Sequence, residues 1–320
     1  MLTLSKIAKL ANVSISTASK AFSMSPEVNE QTRDAIFDIA KKHGCFKKFF
    51  NAKYPKLVIA VICPEFESLH YTSMLSHLQT ILEKRDCEIC VATTQFSKNR
   101  ESELVDYYSR YARVDGMIFI DSILGREADS DIPTVYIGHA KENSVRVFMK
   151  KRPALEAAID YFISHGVTDI GFIGEHLTVS KQNIFADIMT EKLGGFNQNY
   201  IGVGERFADG AYATTQALID KGCVPRALVC AYDYLAIGTV RCLFDNGYRV
   251  PEDVLVLGMD DISEAKYLIP ALSSIDSDSF KVCDAAATTL MNIIMEKPYQ
   301  RETVIESTLH LRKSTELCND

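Results

Sequence analysis

The chain has 320 residues, of which 47% are hydrophobic and 24% are charged, and its formal net charge is -7. This composition is typical of a soluble globular protein, and the length predicts two or three domains rather than one. We find no secretory leader and no apolar run that approaches the roughly 18 residues needed to cross a bilayer. The sequence therefore favours a cytoplasmic protein over a membrane or exported one.

The charge is distributed unevenly along the chain. Residues 1–56 contain ten Lys or Arg and four Asp or Glu, a net charge of +6, whereas the rest contains 25 basic and 38 acidic residues, a net charge of -13. A basic N-terminal region ahead of an acidic body predicts a polyanionic partner for the N-terminal region alone.

The nine cysteines are odd in number and scattered among apolar neighbours. Cys87 and Cys90 form a CxxC, but they lie in an extended-looking segment without a second CxxC or a nearby pair of histidines. This pattern favours buried thiols over zinc or redox chemistry. We expect no metal and no cofactor.

The N-terminal region predicts three short helices. Thr3 can cap the first helix, Ser14 the second and Asn29 the third, which Gly44 ends. Small and apolar residues recur at helical spacing and give each helix an inward face. We interpret residues 1–46 as an all-α helix-turn-helix head that binds DNA, although another small three-helix bundle would fit the same spacing.

The second helix supports the DNA-binding interpretation. Its outward face carries Ser16, Thr17, Ser19, Lys20 and Ser23, with no carboxylate among them. A helix end without acidic side chains suits a phosphate group.

Residue identities sharpen this interpretation. The sequence TLSKIAKLANVSISTASKAF, followed by VNEQTR, resembles the head of the lactose-repressor (LacI/GalR-type) family of bacterial transcription regulators. The family pattern runs T-I-x-D-V-A-x-x-A-x-V-S-x-x-T-V-S-R and then V-S-x-x-T-R. The matching positions include Thr3, Ala8, Ala11, Val13, Ser14, Thr17, Ser19, Val28, Thr32 and Arg33.

The resemblance implies that Ile15, Ser16 and Lys20 face base edges. Lys20 stands where the family usually has Arg, so it can donate to guanine O6 and N7 but without the planar two-pronged geometry of Arg. Ile15 can touch a thymine methyl group, although its spacing to Ala18 and Phe22 fits the core equally well.

Hydroxyl side chains match the family positions that hold the phosphate backbone. These are Thr3, Ser14, Thr17, Ser19 and Thr32. For each of them helix capping or surface solvation is the competing interpretation, and together they would fix the register of the head on DNA.

Residues 47–56 are interpreted as a hinge or linker. The segment CFKKFFNAKYPK is basic and aromatic, and it departs from the family hinge Y-x-P-N-x-x-A-R-x-L, whose leucine wedges into the minor groove. Tyr54 falls near that leucine position. Electrostatic contact of Lys47, Lys48 and Lys53 with DNA is the favoured alternative to a wedge.

After residue 56 strand-like apolar runs alternate with helical segments, which predicts parallel sheets with right-handed crossovers. The strand-like runs are LVIAVICP, EICVAT, GMIFI, TVYIG, DIGFIG, ALVCA and VLVLGM. The predicted helices lie near residues 71–85, 101–112, 153–165, 209–221, 232–246 and 280–295. So long an alternation favours two α/β lobes facing each other across a cleft.

The family resemblance continues through this part of the chain. ARVDGMIFI, SHGVTDIGFIGE, VPEDVLVLGMDD, YLIPALSSI and LHLRKST are similar to family segments. The resemblance implies a periplasmic-binding-protein-like core in residues 57–320, with two Rossmann-like lobes joined by three crossings. Lobe 1 would comprise about 57–150 and 277–302, and lobe 2 about 151–276 and 303–320.

The resemblance also implies an effector site at strand ends between the lobes. On lobe 1, His70 and Tyr71 would face the cleft, and His139 would end a strand where the family often has Arg. On lobe 2, Asp233 matches the family motif A-N-D-x-M-A-x-G, in which Tyr232 replaces Asn, and Asp260 matches the first Asp of F-D-D. Both aspartates have a structural alternative, because a carboxylate at a strand end can cap the following helix.

Two family positions are substituted. Lys150 replaces a pocket Asp, which suggests an anionic ligand, although a lysine there is more often at the surface or ion-paired. Gln182 or Asn183 stands where an effector-binding Arg is expected. A typical sugar pocket therefore does not follow from the sequence.

These features predict a homodimeric transcription regulator, a repressor, that binds a double-stranded pseudo-palindromic operator and responds to a small molecule such as a carbohydrate or related metabolite. An alternative is the same regulator with a degenerate cleft that responds to a protein partner or to no ligand. A solute-binding protein would need export and no DNA-binding head. An enzyme is disfavoured, because we find none of the nucleotide, nucleophile or zinc motifs such as G-x-G-x-x-G and H-E-x-x-H.

Overall fold

The computed structural model describes residues 3–50, 56–112, 114–124, 132–138, 140 and 143–317. The chain divides into two compact units, Met1–Leu57 and Val58–Asp320. We call the first unit the head and the second the core. None of the described helices is long and apolar enough to span a membrane.

The described part of the head contains four helices, α1 (Leu4–Leu10), α2 (Ile15–Phe22), α3 (Glu30–Lys42) and the short α4 (Phe46–Phe49). Each of the first three begins at the predicted N-cap. The side chain of Thr3 accepts from Lys6 N at 3.4 Å, that of Ser14 from Thr17 N at 2.9 Å and that of Asn29 from Thr32 N at 2.8 Å. These bonds satisfy amide groups that a helix leaves without internal partners.

An aromatic cluster closes the head. The ring of Phe22 lies 5.5 Å from that of Phe37, 6.2 Å from Phe46 and 5.7 Å from Phe49, and the rings of Phe46 and Phe50 stack at 4.7 Å. Residues 47–50 were assigned to the linker from their sequence, but Phe49 and Phe50 pack on the head. The boundary expected after residue 46 is therefore too early, because these aromatic side chains bury more apolar surface against α2 and α3 than a free linker would.

The core contains two α/β lobes, which confirms the predicted fold class. Its helices are α5 (Leu69–Glu83), α6 (Lys98–Arg110), α7 (Arg152–Ser164), α8 (Val179–Leu193), α9 (Phe207–Asp220), α10 (Asp233–Asp245) and α11 (Ser279–Ile294). Its strands are β1 (Leu57–Cys63), β2 (Cys87–Thr93), β3 (Gly116–Ile120), β4 (Thr134–Ile137), β5 (Arg146–Lys150), β6 (Ile170–Glu175), β7 (Ile201–Gly204), β8 (Ala227–Cys230), β9 (Leu255–Met259), β10 (Ser273–Asp276), β11 (Glu302–Glu306) and β12 (Thr308–His310).

Each lobe is organised around one six-stranded sheet. The strand order is β11-β5-β4-β3-β1-β2 in lobe 1 and β12-β10-β9-β8-β6-β7 in lobe 2. Neighbouring strands from β1 to β11 of lobe 1 pair in parallel, and in lobe 2 only β12 pairs antiparallel, with β10, among the pairings described. A parallel arrangement places the carboxyl ends of the strands at one edge of each sheet, where ligands of open α/β sheets bind.

The chain passes between the lobes three times. It leaves lobe 1 after β5 near Lys151, returns after β10 near Ser277, and crosses again at Ser307 between β11 and β12. The last crossing was expected after residue 302 and lies later, because Glu302–Glu306 forms β11 and pairs with β5 in lobe 1.

Aromatic residues fill the core of lobe 2. Phe162, Phe172 and Phe185 are fully buried there, and burying a side chain of this size contributes about 1.5–3 kcal/mol. Gly238 allows α10 to approach α9 closely, since a Cβ atom at this position would lie 2.0 Å from the carbonyl oxygen of Ala208.

Candidate functional site

The exposed face of α2 is the candidate DNA-reading surface of the head. Ser16, Ser19 and Lys20 are exposed, Thr17 is half-buried, and Ile15 is 54% exposed. The core-facing alternative for Ile15 is therefore wrong, since Ala18, Ala21 and Phe22 form the buried side of α2. The first turn of α2 contains no acidic residue.

The hydroxyl residues expected at phosphate positions have structural roles in the head. Thr3 and Ser14 are exposed N-caps, and the Ser14 Oγ lies 2.8 Å from the Thr17 Oγ1. Thr32 is half-buried in the first turn of α3. Capping leaves the exposed oxygens of Thr3 and Ser14 accessible, so it is compatible with a phosphate contact.

Lys20 has a partner that the sequence around α2 does not indicate. Its ammonium group forms an ion pair with the carboxylate of Glu27, which lies in the turn between α2 and α3. The outward face of α2 thus carries no acid of its own, but the following turn brings one to it.

Some predicted DNA-contact residues lie outside the described part of the chain. This applies to Tyr54 and Lys53, and also to the side chains of Lys47 and Lys48, whose backbone belongs to α4. The minor-groove wedge and the electrostatic alternative therefore both stay predictions.

The candidate effector site is a cavity of about 520 Å³ between the two lobes of the core. Charged or hydrogen-bonding side chains reach it from the carboxyl ends of strands in both sheets. They include Asp121 after β3, Lys151 after β5, Glu175 at the end of β6, Tyr232 after β8 and Asp260 after β9. The polar lining also includes His70 and Tyr71 in α5, Lys181 in α8 and Arg206 before α9.

Asp260 is the centre of a buried charge cluster, which we call the Asp260 cluster. Its carboxylate lies 3.2 Å from Lys151 Nζ, 3.7 Å from Lys181 Nζ and 3.8 Å from His70 Nδ1. The side chain of Asp260 is 7% exposed, and those of its three partners are no more than 19% exposed. His70 belongs to lobe 1, whereas Asp260 and Lys181 belong to lobe 2, so this cluster links the two lobes.

Burial and charge compete in this cluster. Burial alone would raise the pKa of Asp260, but Lys181, Lys151 and His70 hold it well below its usual range. Burial lowers the pKa of Lys181 to about 8, and neighbouring Lys151 adds to the effect although Asp260 opposes it. For Lys151 burial is outweighed by Asp260 and Asp121, so its pKa is raised, whereas burial lowers the pKa of His70.

Two tyrosines add hydrogen-bonding groups to the cavity. The Tyr71 hydroxyl donates to Asp121 Oδ2 at 3.2 Å, and burial together with this carboxylate raises the pKa of Tyr71. The Tyr232 oxygen accepts from Phe207 N at 3.0 Å, and burial raises the pKa of Tyr232 to about 12. Both rings stay neutral at physiological pH.

A second link joins the lobes at the cavity. The guanidinium of Arg206 donates two hydrogen bonds to Glu65, at 2.8 and 2.5 Å, and Glu65 follows β1 of lobe 1. The same guanidinium lies 5.0 Å from the ring centre of Phe96 and 4.5 Å from that of Phe207. Such a two-pronged pair between part-buried side chains is among the stronger polar contacts in proteins.

Four of the eight residues predicted for the effector site line the cavity. They are His70, Tyr71, Tyr232 and Asp260. Lys150 does not line it, since this residue is exposed at the end of β5 and its neighbour Lys151 points inward. Gln182 does not line it either, and Lys181 on the same helix takes that place. His139 lies outside the described residues.

Asp233 is buried away from the cavity and supports the loop that carries Asp260. Its Oδ2 accepts from Ile262 N at 2.8 Å and its Oδ1 from the Ser274 hydroxyl at 2.6 Å. Asp260 and Asp261 both have positive φ, at 97° and 46°. Asp233 was expected to be able to cap the following helix, but its side chain does not cap α10. Its structural role is to hold this strained loop.

Gly258 in β9 faces the side chain of Asp233 at the start of α10. A Cβ atom at Gly258 would lie 2.0 Å from Asp233 Oδ1. Only glycine leaves room for the carboxylate at this place in the sheet.

Sequence reasoning missed Lys151, Lys181, Asp121, Glu65 and Arg206. Lys151 and Lys181 are each one residue from a predicted position. The sequence therefore identified the two segments that line the cavity but not the residue in each segment that faces it. Asp121 directly follows the buried strand β3, and a polar residue at that point is a usable signal for a ligand site.

None of the described cysteines forms a disulfide bond. Cys87 is buried, and burial raises the pKa of both Cys87 and Cys90, which disfavours the thiolate that metal binding or redox chemistry requires. Asp261, Asp276 and His310 approach one another within 4.8 Å. Because Arg312 already donates to both carboxylate oxygens of Asp261, at 2.5 and 3.0 Å, this group carries no metal-site assignment.

The chain matches two family models. Residues 3–45 match the model described as "Bacterial regulatory proteins, lacI family", and residues 159–315 match a periplasmic binding protein-like domain. The probable HTH-type transcriptional repressor ExuR of Bacillus subtilis is 25% identical, with 96% of each chain covered.

Two solved structures share the fold over nearly the whole chain. A complex of the transcriptional regulator CelR with cellobiose has a TM-score of 0.71 at 23% identity, covering 98% of this chain and 100% of the other. The lac repressor dimer bound to operator and the anti-inducer ONPF has a TM-score of 0.75 at 17% identity, covering 98% and 99%. The chain thus combines a head that matches the lacI family of bacterial regulatory proteins with a periplasmic-binding-protein-like core.

Proposed function

We propose that this protein is a sequence-specific transcription repressor that binds operator DNA through its head and a small metabolite through the cleft of its core. The observation that carries the proposal is the exposed face of α2, with Ser16, Ser19 and Lys20, within a head that matches the lacI family model. The net charge of +6 on residues 1–56 supplies the non-specific attraction to DNA on which base reading depends.

The protein acts as a homodimer in the cytoplasm. A single head with one recognition helix reads too few base pairs for a useful specificity, and two-fold symmetry doubles the contact on a pseudo-palindromic operator. The lac repressor, which was solved as a dimer bound to its operator, supports this assembly.

In the cleft, the proposed ligand is a small polyhydroxylated metabolite such as a carbohydrate. A cavity of about 520 Å³ falls in the size range of small-molecule sites. It offers donors at Lys151 and Lys181 and acceptors at Asp121 and Asp260, and the CelR relative is solved with the sugar cellobiose.

Ligand binding regulates the protein by changing the balance between arrangements of the two lobes. A ligand that contacts His70 of lobe 1 and Asp260 of lobe 2 binds best when the lobes are close. Such a two-state coupling is typically worth about 1–3 kcal/mol between ligand and DNA affinity. The protein works by binding and releases the ligand unchanged, without turnover.

A second candidate is the same repressor without a small ligand. It is favoured by one observation, the Asp260 cluster, in which the cleft carboxylate already has three protein partners. In this case the cluster and the Arg206–Glu65 pair hold the lobes together with no ligand present.

Selection of bound sequences from a random pool of duplex DNA by the full-length protein tests the proposal. We expect enrichment of a palindromic site, and enrichment of no sequence over bulk DNA would overturn it. A thermal-shift screen with sugars, sugar acids, sugar phosphates and nucleobases then separates the two candidates. A stabilising ligand that also changes operator affinity supports the first, and a null screen supports the second.

A further inference from the structure

The ion pair between Lys20 and Glu27 lies at the end of α2, the candidate DNA-reading helix. Lys20 lies in the last turn of α2, and its ammonium is bound to the Glu27 carboxylate. Their side chains are 45% and 66% exposed, so both are accessible to a duplex. Glu27 is one of only four acidic residues among residues 1–56.

The turn that carries Glu27 is held in place from both sides. Ser25 N donates to the carbonyl of Lys20 at 2.9 Å, which closes the end of α2. The Arg33 guanidinium in α3 donates to the carbonyls of Ser25 and Val28, at 3.0 and 2.7 Å. The backbone of Glu27 is therefore fixed beside the last turn of the recognition helix.

A carboxylate in this place is unfavourable on DNA unless it accepts a hydrogen bond from a base. The phosphate groups repel it, and the head gains nothing from it electrostatically. In the major groove the amino group of cytosine N4 is the donor that Glu and Asp side chains accept from, whereas guanine O6 and N7 accept from Lys. A G·C pair thus offers complementary groups to both members of the ion pair.

We propose that Glu27 is a specificity-determining residue, which accepts from a cytosine amino group while Lys20 donates to guanine. This inference rests on the proposed function, since it assumes that α2 reads operator DNA. A lone lysine is a flexible point donor with little geometric selectivity. The carboxylate restricts where the Lys20 ammonium lies and adds an acceptor, so the pair requires a G·C base pair, or two adjacent ones, where Lys20 alone would not.

The test is sequence selection from random duplex DNA with the full-length parent, Glu27→Gln and Glu30→Gln. Glu30 is the matched control, because it is an exposed acid nearby at the start of α3 and its replacement removes the same charge. The parent and Glu30→Gln should enrich the same half-site. Glu27→Gln should lose the cytosine preference at one position per half-site by about tenfold or more, consistent with the discrimination of a single good base contact.

Binding titrations with the selected site and its cytosine variants quantify the effect. A Lys20→Met variant should relax the guanine preference, and Lys20→Met with Glu27→Gln should show non-additive losses because the two side chains form one unit. Thermal melting of each variant confirms that the exposed substitutions leave the fold intact.

The inference is overturned if Glu27→Gln enriches the parent's sequence and merely binds every sequence more tightly, as loss of a repelled charge would produce. If the parent itself enriches no sequence, the proposed function fails and this inference fails with it. A changed preference in Glu30→Gln equal to that of Glu27→Gln would also overturn it, since the effect would then be one of net charge.

Discussion

The head and the cleft of the core use polar residues in opposite ways. On α2 the side chains of Ser16, Ser19 and Lys20 are exposed, and the only ion pair described there is an accessible one. In the cleft, Asp260 and its partners are almost completely buried and already satisfy one another. Binding DNA therefore costs the head little desolvation, whereas any ligand of the cleft must replace or join contacts that the protein makes with itself.

Removal of the interior of the head is expected to have the largest effect. Phe22→Ala should cost about 3–5 kcal/mol, because Phe22 is the centre of the aromatic cluster in a small unit. Calorimetry of the full chain should show loss of the head transition with the core transition unchanged, and DNA binding should disappear. Ile15→Ala, at an exposed position, should change stability by less than about 0.5 kcal/mol. Retention of both transitions in Phe22→Ala would show that α4 and α3 hold the head without it.

Asp260→Asn tests the buried charges of the cleft. The amide removes the nearest counter-charge of Lys151 and Lys181 and leaves them only the more distant Asp121. Breaking a buried pair from one side costs about 3–5 kcal/mol. Urea unfolding of the core measures the loss. As a control, Glu191→Gln removes the exposed partner of Arg152 and should have an effect within about 0.5 kcal/mol. Equal stabilities of the two variants would mean that water screens the cluster.

Arg206→Met tests the link between the lobes. Loss of the two hydrogen bonds to Glu65 should reduce core stability by about 1–3 kcal/mol and speed amide hydrogen exchange around the cavity. Arg249→Met is the matched control, because Arg249 makes a comparable pair with Asp253 that is far more exposed. Unchanged exchange in Arg206→Met would argue that the Asp260 cluster alone holds the lobes.

The pKa of Lys181, about 8 instead of the usual 10.5, predicts a pH dependence of stability. The folded state loses this proton near pH 8 and the unfolded state keeps it to about pH 10.5, so the unfolded state binds more protons in between. Lys181 therefore makes the free energy of unfolding rise with pH across that window, by on the order of 1–3 kcal/mol.

The measurement is the difference in unfolding free energy between the parent and Lys181→Met from pH 7 to pH 10. This difference should shift in favour of the parent as the pH rises, because the folded parent loses the Lys181 proton near pH 8. The charged groups that face Lys181 are Asp260, Lys151 and Asp121. Lys192→Met, on the same helix and paired with Asp160, should show a flat difference. A flat difference for Lys181→Met as well would show that its ammonium is well solvated.

The smallest effect is expected for Asp233→Asn. Burial raises the pKa of Asp233 to about 8, so the acid carries its proton at neutral pH and an amide is a close substitute. The asparagine oxygen can still accept from Ile262 N, and we expect a cost below about 1 kcal/mol at pH 7 by denaturant unfolding. A cost near that of Asp260→Asn would show that Asp233 is ionised.

Local signals in the sequence were sufficient for the first three helices of the head. Thr3, Ser14 and Asn29 all cap the helices that they were predicted to cap, because a cap depends on a side chain and an amide only three residues away. The contact of Lys20 with Glu27 depends instead on the path of the turn between them. That path is set by Arg33, which no pattern of residues in α2 reveals.

In the core, the alternation of apolar runs and helical segments predicted the two lobes but not all of their parts. The strands β5, β7, β10, β11 and β12 were not predicted as strands, since they are short or only partly apolar. Helix α8 was also missed, although Ile184, Phe185, Ile188 and Met189 recur at helical spacing and pack inward.

The candidate cleft shows why family positions alone do not specify a site. At the end of β5 a shift of one residue reverses the side to which a side chain points, so Lys151 enters the cavity and Lys150 does not. On α8 one residue corresponds to about 100°, which separates Lys181 from Gln182. Which of two neighbouring residues faces the cavity depends on the exact orientation of the strand or helix. A sequence identity near 25% to a relative does not determine that orientation.

The contact of Gly258 with Asp233 has an evolutionary consequence. A side chain at position 258 would collide with the carboxyl group of Asp233, which supports the loop of Asp260. A methyl group there would therefore disturb this loop without itself lining the cavity. A side chain at position 258 therefore requires a smaller side chain at position 233, whereas a change at position 233 alone leaves glycine at position 258 acceptable. Drift of one residue hidden inside a β-sheet can thereby alter the loop that carries Asp260 at the proposed effector site.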